Sequence, residues 1–155
     1  MELTLSQAVK KGIEAQRAGK VQEADSYYTS VLKVQPKHPE ANHNLGLLAL
    51  GIGKTQESLP FFETALEVEP KKAQFWLSYI GALIKLDRSV DAKEVFANAK
   101  NRGFKGESFD ELEAKLAEPN ETTASNQNIK NSQYKILDTI KLDQALKLAK
   151  TKAKE

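Results

Sequence analysis

The two histidines, His38 and His43, are the residues best suited to metal or proton chemistry, and their spacing argues against both. Five positions apart, the rings do not share a helix face as an i, i+4 pair would, and no cysteine completes a ligand set. His38 reads as a solvated loop residue and His43 as a groove or surface residue. Carboxylates cluster at Glu67/Glu69 and Asp110/Glu111/Glu113, but on wet helix ends, where negative charge is ordinary. Acid–base catalysis needs a buried setting that shifts a carboxylate pKa, and this pattern supplies none. The glycines at 46, 51 and 53 fall in a helix end and a turn with no strand before them, so they form no phosphate loop. Trp76 and Tyr79, at helical spacing, read as packing rather than as a ligand cage. The expectation is a chain with no catalytic residue, no metal, no cofactor and no small-molecule substrate. What remains is binding.

Composition agrees. A chain of 155 residues suits one domain that buries roughly two-thirds of its unfolded surface. Its 40% hydrophobic and 28% charged content is that of an ordinary globular protein. A net charge of +2 is too small for a chain-wide field that recruits nucleic acid or acidic lipid. The N-terminus carries no apolar run of signal-peptide length, and no 18-residue apolar stretch occurs. The expected protein is soluble and cytoplasmic.

The elements that must carry any binding surface are helices. Thr4-Leu5-Ser6-Gln7 has the spacing of a capping box, and Leu5, Ala8, Val9, Gly12, Ile13 and Ala15 follow at helical period until Gly19. A second helix is expected over about 21–34, closed by Pro36 and Pro39. A second hairpin runs over about 39–52 and 55–69, with Thr55 as a candidate cap and Pro60 expected to bend the entry. A third covers about 72–86 and 89–102. Ser108-Phe109-Asp110-Glu111 reads as a further capping box that opens a short helix to Ala117. That helix has an apolar stripe of Phe109, Leu112 and Leu116, suited to covering the end of an array.

One frame recurs at a 34-residue offset. Gly12, Ala15, Ala24, Tyr28, Val31 and Pro36 are followed by Gly46, Ala49, Phe62, Ala65 and Pro70, then by Trp76, Tyr79, Leu83, Ala92, Phe96 and Ala99. The third frame departs from the others: Ile80 takes the glycine position with Gly81 after it, Asp87 replaces the turn glycine, and Phe104 stands where Pro36 and Pro70 stood. The pattern resembles the tetratricopeptide repeat family over about three-quarters of the chain. The resemblance implies an all-α solenoid of helical hairpins, with residues 1–117 as a three-repeat array and capping helix.

It also implies a concave wall built from the first helix of each hairpin, showing Val9, Lys10, Ile13 and Arg17, then His43, Asn44, Leu47 and Leu50, then Gln74, Leu77, Ser78 and Gly81. Ile13, Leu47 and Leu77 read equally well as core. The implied function is a scaffold or adaptor that holds a peptide or helical segment of a protein partner along that wall. The alternative is a non-catalytic regulatory or targeting region of a larger multidomain enzyme, since similar repeats stand at the front of bacterial transferases. Some members clamp acidic chaperone tails with Lys, Asn and Arg. Here only Asn44 fits, with Val9, Ile13, Gln74 and Ser78 at the other clamp positions, so that ligand is not expected.

From Glu118 to Ser132 apolar residues become scarce and no period is visible, which reads as a flexible linker. Over 133–155 helical signal returns. Leu142, Ala145, Leu146 and Ala149 repeat the spacing of Leu5, Ala8, Val9 and Gly12, as in the first half of a further repeat. This helix is expected to dock on its own array, in the apolar groove or beside the capping helix, ahead of self-association with a second copy of the chain. Its lysines are spread around the helix without interleaved aromatics, so nucleic acid and membrane are not the expected partners.

Overall fold

The computed structural model describes residues 2–118; the expected linker beyond Glu118 and the C-terminal helix 133–155 lie outside the described residues. Seven helices and no strand make up the described chain: α1 (Leu5–Arg17), α2 (Val21–Val34), α3 (Pro39–Gly51), α4 (Thr55–Val68), α5 (Ala73–Lys85), α6 (Ser89–Asn101) and α7 (Glu107–Ala117). They form an all-α solenoid of three helical hairpins closed by a seventh helix, as the sequence frame implies. Each hairpin packs on the next, and α7 packs on α5 and α6.

The helix ends follow local chemistry. Thr4 closes the expected capping box: its hydroxyl accepts from the Gln7 amide at 3.1 Å, and the Gln7 side chain accepts from the Thr4 amide at 2.9 Å. Pro39 opens α3, where its missing N–H has no helical partner to lose. Two expected caps do not form. Thr55 is the first residue of α4 and is buried; Lys54 precedes it without a side-chain cap. Ser108 lies inside the first turn of α7, because Gly106, at φ +129, turns the chain earlier and its carbonyl accepts from the Asp110 amide. α4 continues through Pro60, whose carbonyl accepts from the Thr64 hydroxyl at 2.9 Å. Asp87 takes the turn role that the sequence assigns it, at φ +58 where the earlier hairpins have Gly19 and Gly53.

The hairpins are held by an aromatic ring against a glycine. Tyr28 and Phe62 are fully buried, and each lies over the glycine of the partner helix. A Cβ built on Gly12 would stand 2.4 Å from Tyr28 Cε1, and one on Gly46 would stand 2.5 Å from Phe62 Cε1. In the third hairpin Ile80 fills that position, itself fully buried, and Phe96 packs instead toward Phe109 of α7, with ring centroids 6.3 Å apart. Phe104, in place of proline, stacks on Phe109 at 5.9 Å and reaches Trp76 at 6.0 Å. The last hairpin and α7 therefore share one apolar cluster.

A second repeat signature joins successive hairpins. Asn42 Nδ2 donates to the Pro36 carbonyl at 3.1 Å, and Trp76 Nε1, 34 positions on, donates to the Pro70 carbonyl at 2.8 Å. A planar N–H at this position thus ties each new first helix to the proline ending the previous hairpin.

These contacts set opposite outcomes for two glycine-to-alanine changes. Gly46→Ala should destabilise the array by about 1–3 kcal/mol, because Phe62 has no room to retreat. Gly81→Ala meets nothing within 4 Å and should stabilise it by up to about 1 kcal/mol through helix propensity alone. Chemical denaturation of the two variants beside wild type checks both signs.

Candidate functional site

In the described unit α1 packs directly on α3 and α3 on α5, while the second helices make no comparably extensive direct contact with one another. The row whose members stand closer lies on the inner side of the curve. The first helices thus carry the wall, and the 34-residue frame places matching positions side by side across it.

The twelve expected wall residues fall into three groups. Lys10, Arg17 and Gln74 are exposed. Ile13, Leu47, Leu50, Leu77 and Gly81 are half-buried; Ile13 packs against the N-terminal clusters, and Leu47, Leu50 and Leu77 against the cluster of hairpins two and three. Val9, His43, Asn44 and Ser78 are buried. Val9 packs with Ala8, Val31 and Ala41 at 3% exposure, so packing absorbs its surface. Two further residues join this face. Ile84 is half-buried one turn after Gly81, and Lys85 is exposed beside it. They stand 34 positions after Leu50 and Gly51, and that offset alone would have found them.

At the centre, His43 Nε2 and Ser78 Oγ are 2.8 Å apart, a polar tie from α3 to α5. The imidazole lies 4.6 Å from the Phe75 ring and 5.6 Å from the Phe62 ring, centroid to centroid. Gln74 Nε2 donates to the same hydroxyl at 3.5 Å. His43 is therefore a buried inter-repeat contact and not a surface residue. His38, expected in a solvated loop, is half-buried and caps α3, its Nδ1 accepting from the Ala41 amide at 3.2 Å.

Asn44 Nδ2, also buried, has no hydrogen-bond partner. A buried donor without an acceptor costs about 1–3 kcal/mol, so Nδ2 opposes stability, although the same side chain is hydrogen-bonded to His43. Among the described residues no group of three or more His, Asp or Glu could hold a metal, and no helix is long and apolar enough to cross a membrane.

Two comparisons bear on this geometry. The model of the tetratricopeptide repeat matches residues 9–65 and 43–103, two overlapping spans. Among solved structures, the Sgt2 TPR domain from Aspergillus fumigatus is similar, at 19% identity and a TM-score of 0.63, covering 79% of this chain and 93% of that one. At that identity the likeness concerns the fold. No curated protein sequence matches the chain.

Burial is the main reason that the His43 pKa falls from 6.5 to about 4; the Asn44 side chain opposes the shift and the charge of Lys72 reinforces it. A folded-state pKa below the unfolded value means that the neutral ring contributes stability above pH 6.5, lost as pH falls through 4. The full contribution is about 3 kcal/mol, at roughly 1.4 kcal/mol per pKa unit. Urea unfolding of wild type and His43→Gln across that range checks it. The stability difference between them should shift toward the variant on acidification, and a constant difference would show that the ring is not held neutral.

Proposed function

Because the chain belongs to the tetratricopeptide repeat family, whose repeats are generally non-catalytic protein-interaction scaffolds, we propose that it holds a protein partner along the wall of α1, α3 and α5. The observation that carries this reading is the middle of that wall. Leu47, Leu50, Leu77 and Ile84 each keep part of an apolar side chain out of the core, and Asn44 keeps a donor without a partner. Residues selected for stability alone would bury the first four further and satisfy or remove the fifth.

The reading of the chain as a regulatory or targeting part of a larger enzyme involves the same surface and differs only in what the array is attached to. A cytoplasmic setting and self-association through residues 133–155 remain parts of the proposal that rest on sequence pattern.

Affinity capture with the full chain and with Leu47→Glu tests the wall. A partner retained by wild type should be lost by at least about tenfold on Leu47→Glu, since a charge then faces an apolar contact. Asn44→Ala should weaken the same capture while leaving the unfolding midpoint unchanged or raised. Ala65→Leu, at a fully buried position, should instead unfold the array through overpacking. Undiminished capture by both wall variants would place the site elsewhere.

A further inference from the structure

The row of wall side chains is interrupted at one point by a one-position shift in the repeat frame. Ile13 and Leu47 occupy the same place in the first two hairpins, and the third has Gly81 there. A Cβ at Gly81 would meet nothing within 4 Å, whereas the two glycines of the hairpin interiors are pressed against rings. Helical spacing sets Leu77 one turn before it and Ile84 one turn after it, both half-buried and apolar. The row is therefore interrupted between two apolar side chains.

Several of the polar side chains on this wall are already engaged within the fold. Ser78 is bonded to His43 and Gln74, and Gln16, on α1, accepts from the Tyr28 hydroxyl at 2.8 Å. Asn44 Nδ2 is the one buried side-chain donor without a partner among the described residues. An extended segment laid here would leave most of its backbone N–H and C=O groups against apolar side chains, which is unfavourable. A helix satisfies those groups internally and offers side chains at i, i+3, i+4 and i+7. Charge is asymmetric as well. Lys10, Arg17 and Lys85 are exposed at the wall positions of α1 and α5, against the half-buried Glu40 on α3.

We infer that the occupant of this wall is an amphipathic helix of a partner protein, with acidic flanks and one large apolar side chain seated over Gly81, between Leu77 and Ile84. This inference rests on the wall reading above and adds to it the conformation, the charge and the anchor of the ligand.

The test uses the full chain as bait for a displayed library of random 16-residue peptides, with enriched sequences then synthesised and titrated by fluorescence anisotropy. Enriched peptides should carry large apolar residues at helical spacing, be net acidic, and bind Gly81→Leu at least about tenfold more weakly. The thermal midpoint of Gly81→Leu should not fall, because the added side chain enters open space. Binding should also weaken with added salt and on Lys85→Glu. Several outcomes overturn the inference: no enrichment; proline-rich or basic winners; winners resembling residues 133–155 of the chain itself; or undiminished binding to Gly81→Leu. Concentration-dependent self-association abolished by Gly81→Leu would give the wall to a second copy, and also overturns it. Loss of binding on Leu47→Glu with none on Gly81→Leu removes the anchor at Gly81 and leaves the wall reading standing. Loss on neither removes both.

Discussion

The approach of an aromatic ring onto a bare helix backbone is the contact on which this structure depends. Tyr28 over Gly12 and Phe62 over Gly46 bring the two helices of a hairpin so close that no side chain larger than hydrogen fits between them. With the spacing inside a hairpin fixed, small residues set the second helix against the next hairpin: Ala24, Ala65, Ala92 and Ala99 are all fully buried. Curvature then follows, since the first helices stand nearer one another than the second helices do, and the inner wall is a consequence of how the rings are seated. The last hairpin shows what happens when the ring has no glycine. Ile80 fills the space, and Phe96 turns to Phe109, so that α7 becomes part of the core.

That substitution has two sides. An array needs an end at which stacking stops, and an apolar cluster shared by α5, α6 and α7 provides it more firmly than a bare third hairpin would. The glycine displaced by one position reappears as Gly81, rotated about 100° around the helix by its geometry. A residue that served the interior of the first two hairpins thus serves the wall of the third. Stability and surface shape are changed by a single step in register.

Most of the fold was legible because each frame repeats the others, so an ambiguous position in one hairpin is settled by its counterparts. The bounds of α2 and the capping box at Thr4 follow the sequence closely for that reason. What was not legible depends on neighbours that one helix cannot reveal. Ser108 has a cap's spacing, but Gly106 turns the chain first. Val9 and Ile13 share a stripe on α1, yet Val31 and Ala41 close over Val9 and leave Ile13 partly open. His43 has the wall's periodicity, but Phe75, from the next hairpin, covers it. The tie from Asn42 to Pro36 and from Trp76 to Pro70 escaped because asparagine and tryptophan share no hydropathy, only a planar N–H at one position.

The polar centre of the wall shows why such a surface can vary while the array persists. His43 and Ser78 satisfy each other across the hairpin boundary, so their burial costs little and holds α3 beside α5. Asn44, the next residue, is hydrogen-bonded to His43 through its side chain but leaves Nδ2 without a partner. The rings and alanines on the other faces of these helices would hold the hairpins with almost any small residue at position 44. The Nδ2 left without an acceptor there opposes stability. Leu47 and Leu50, on the same helix, are half-buried: each packs against the core and keeps part of its surface outside it. Fold and recognition are thus divided within single helices, by face, and in part within single side chains.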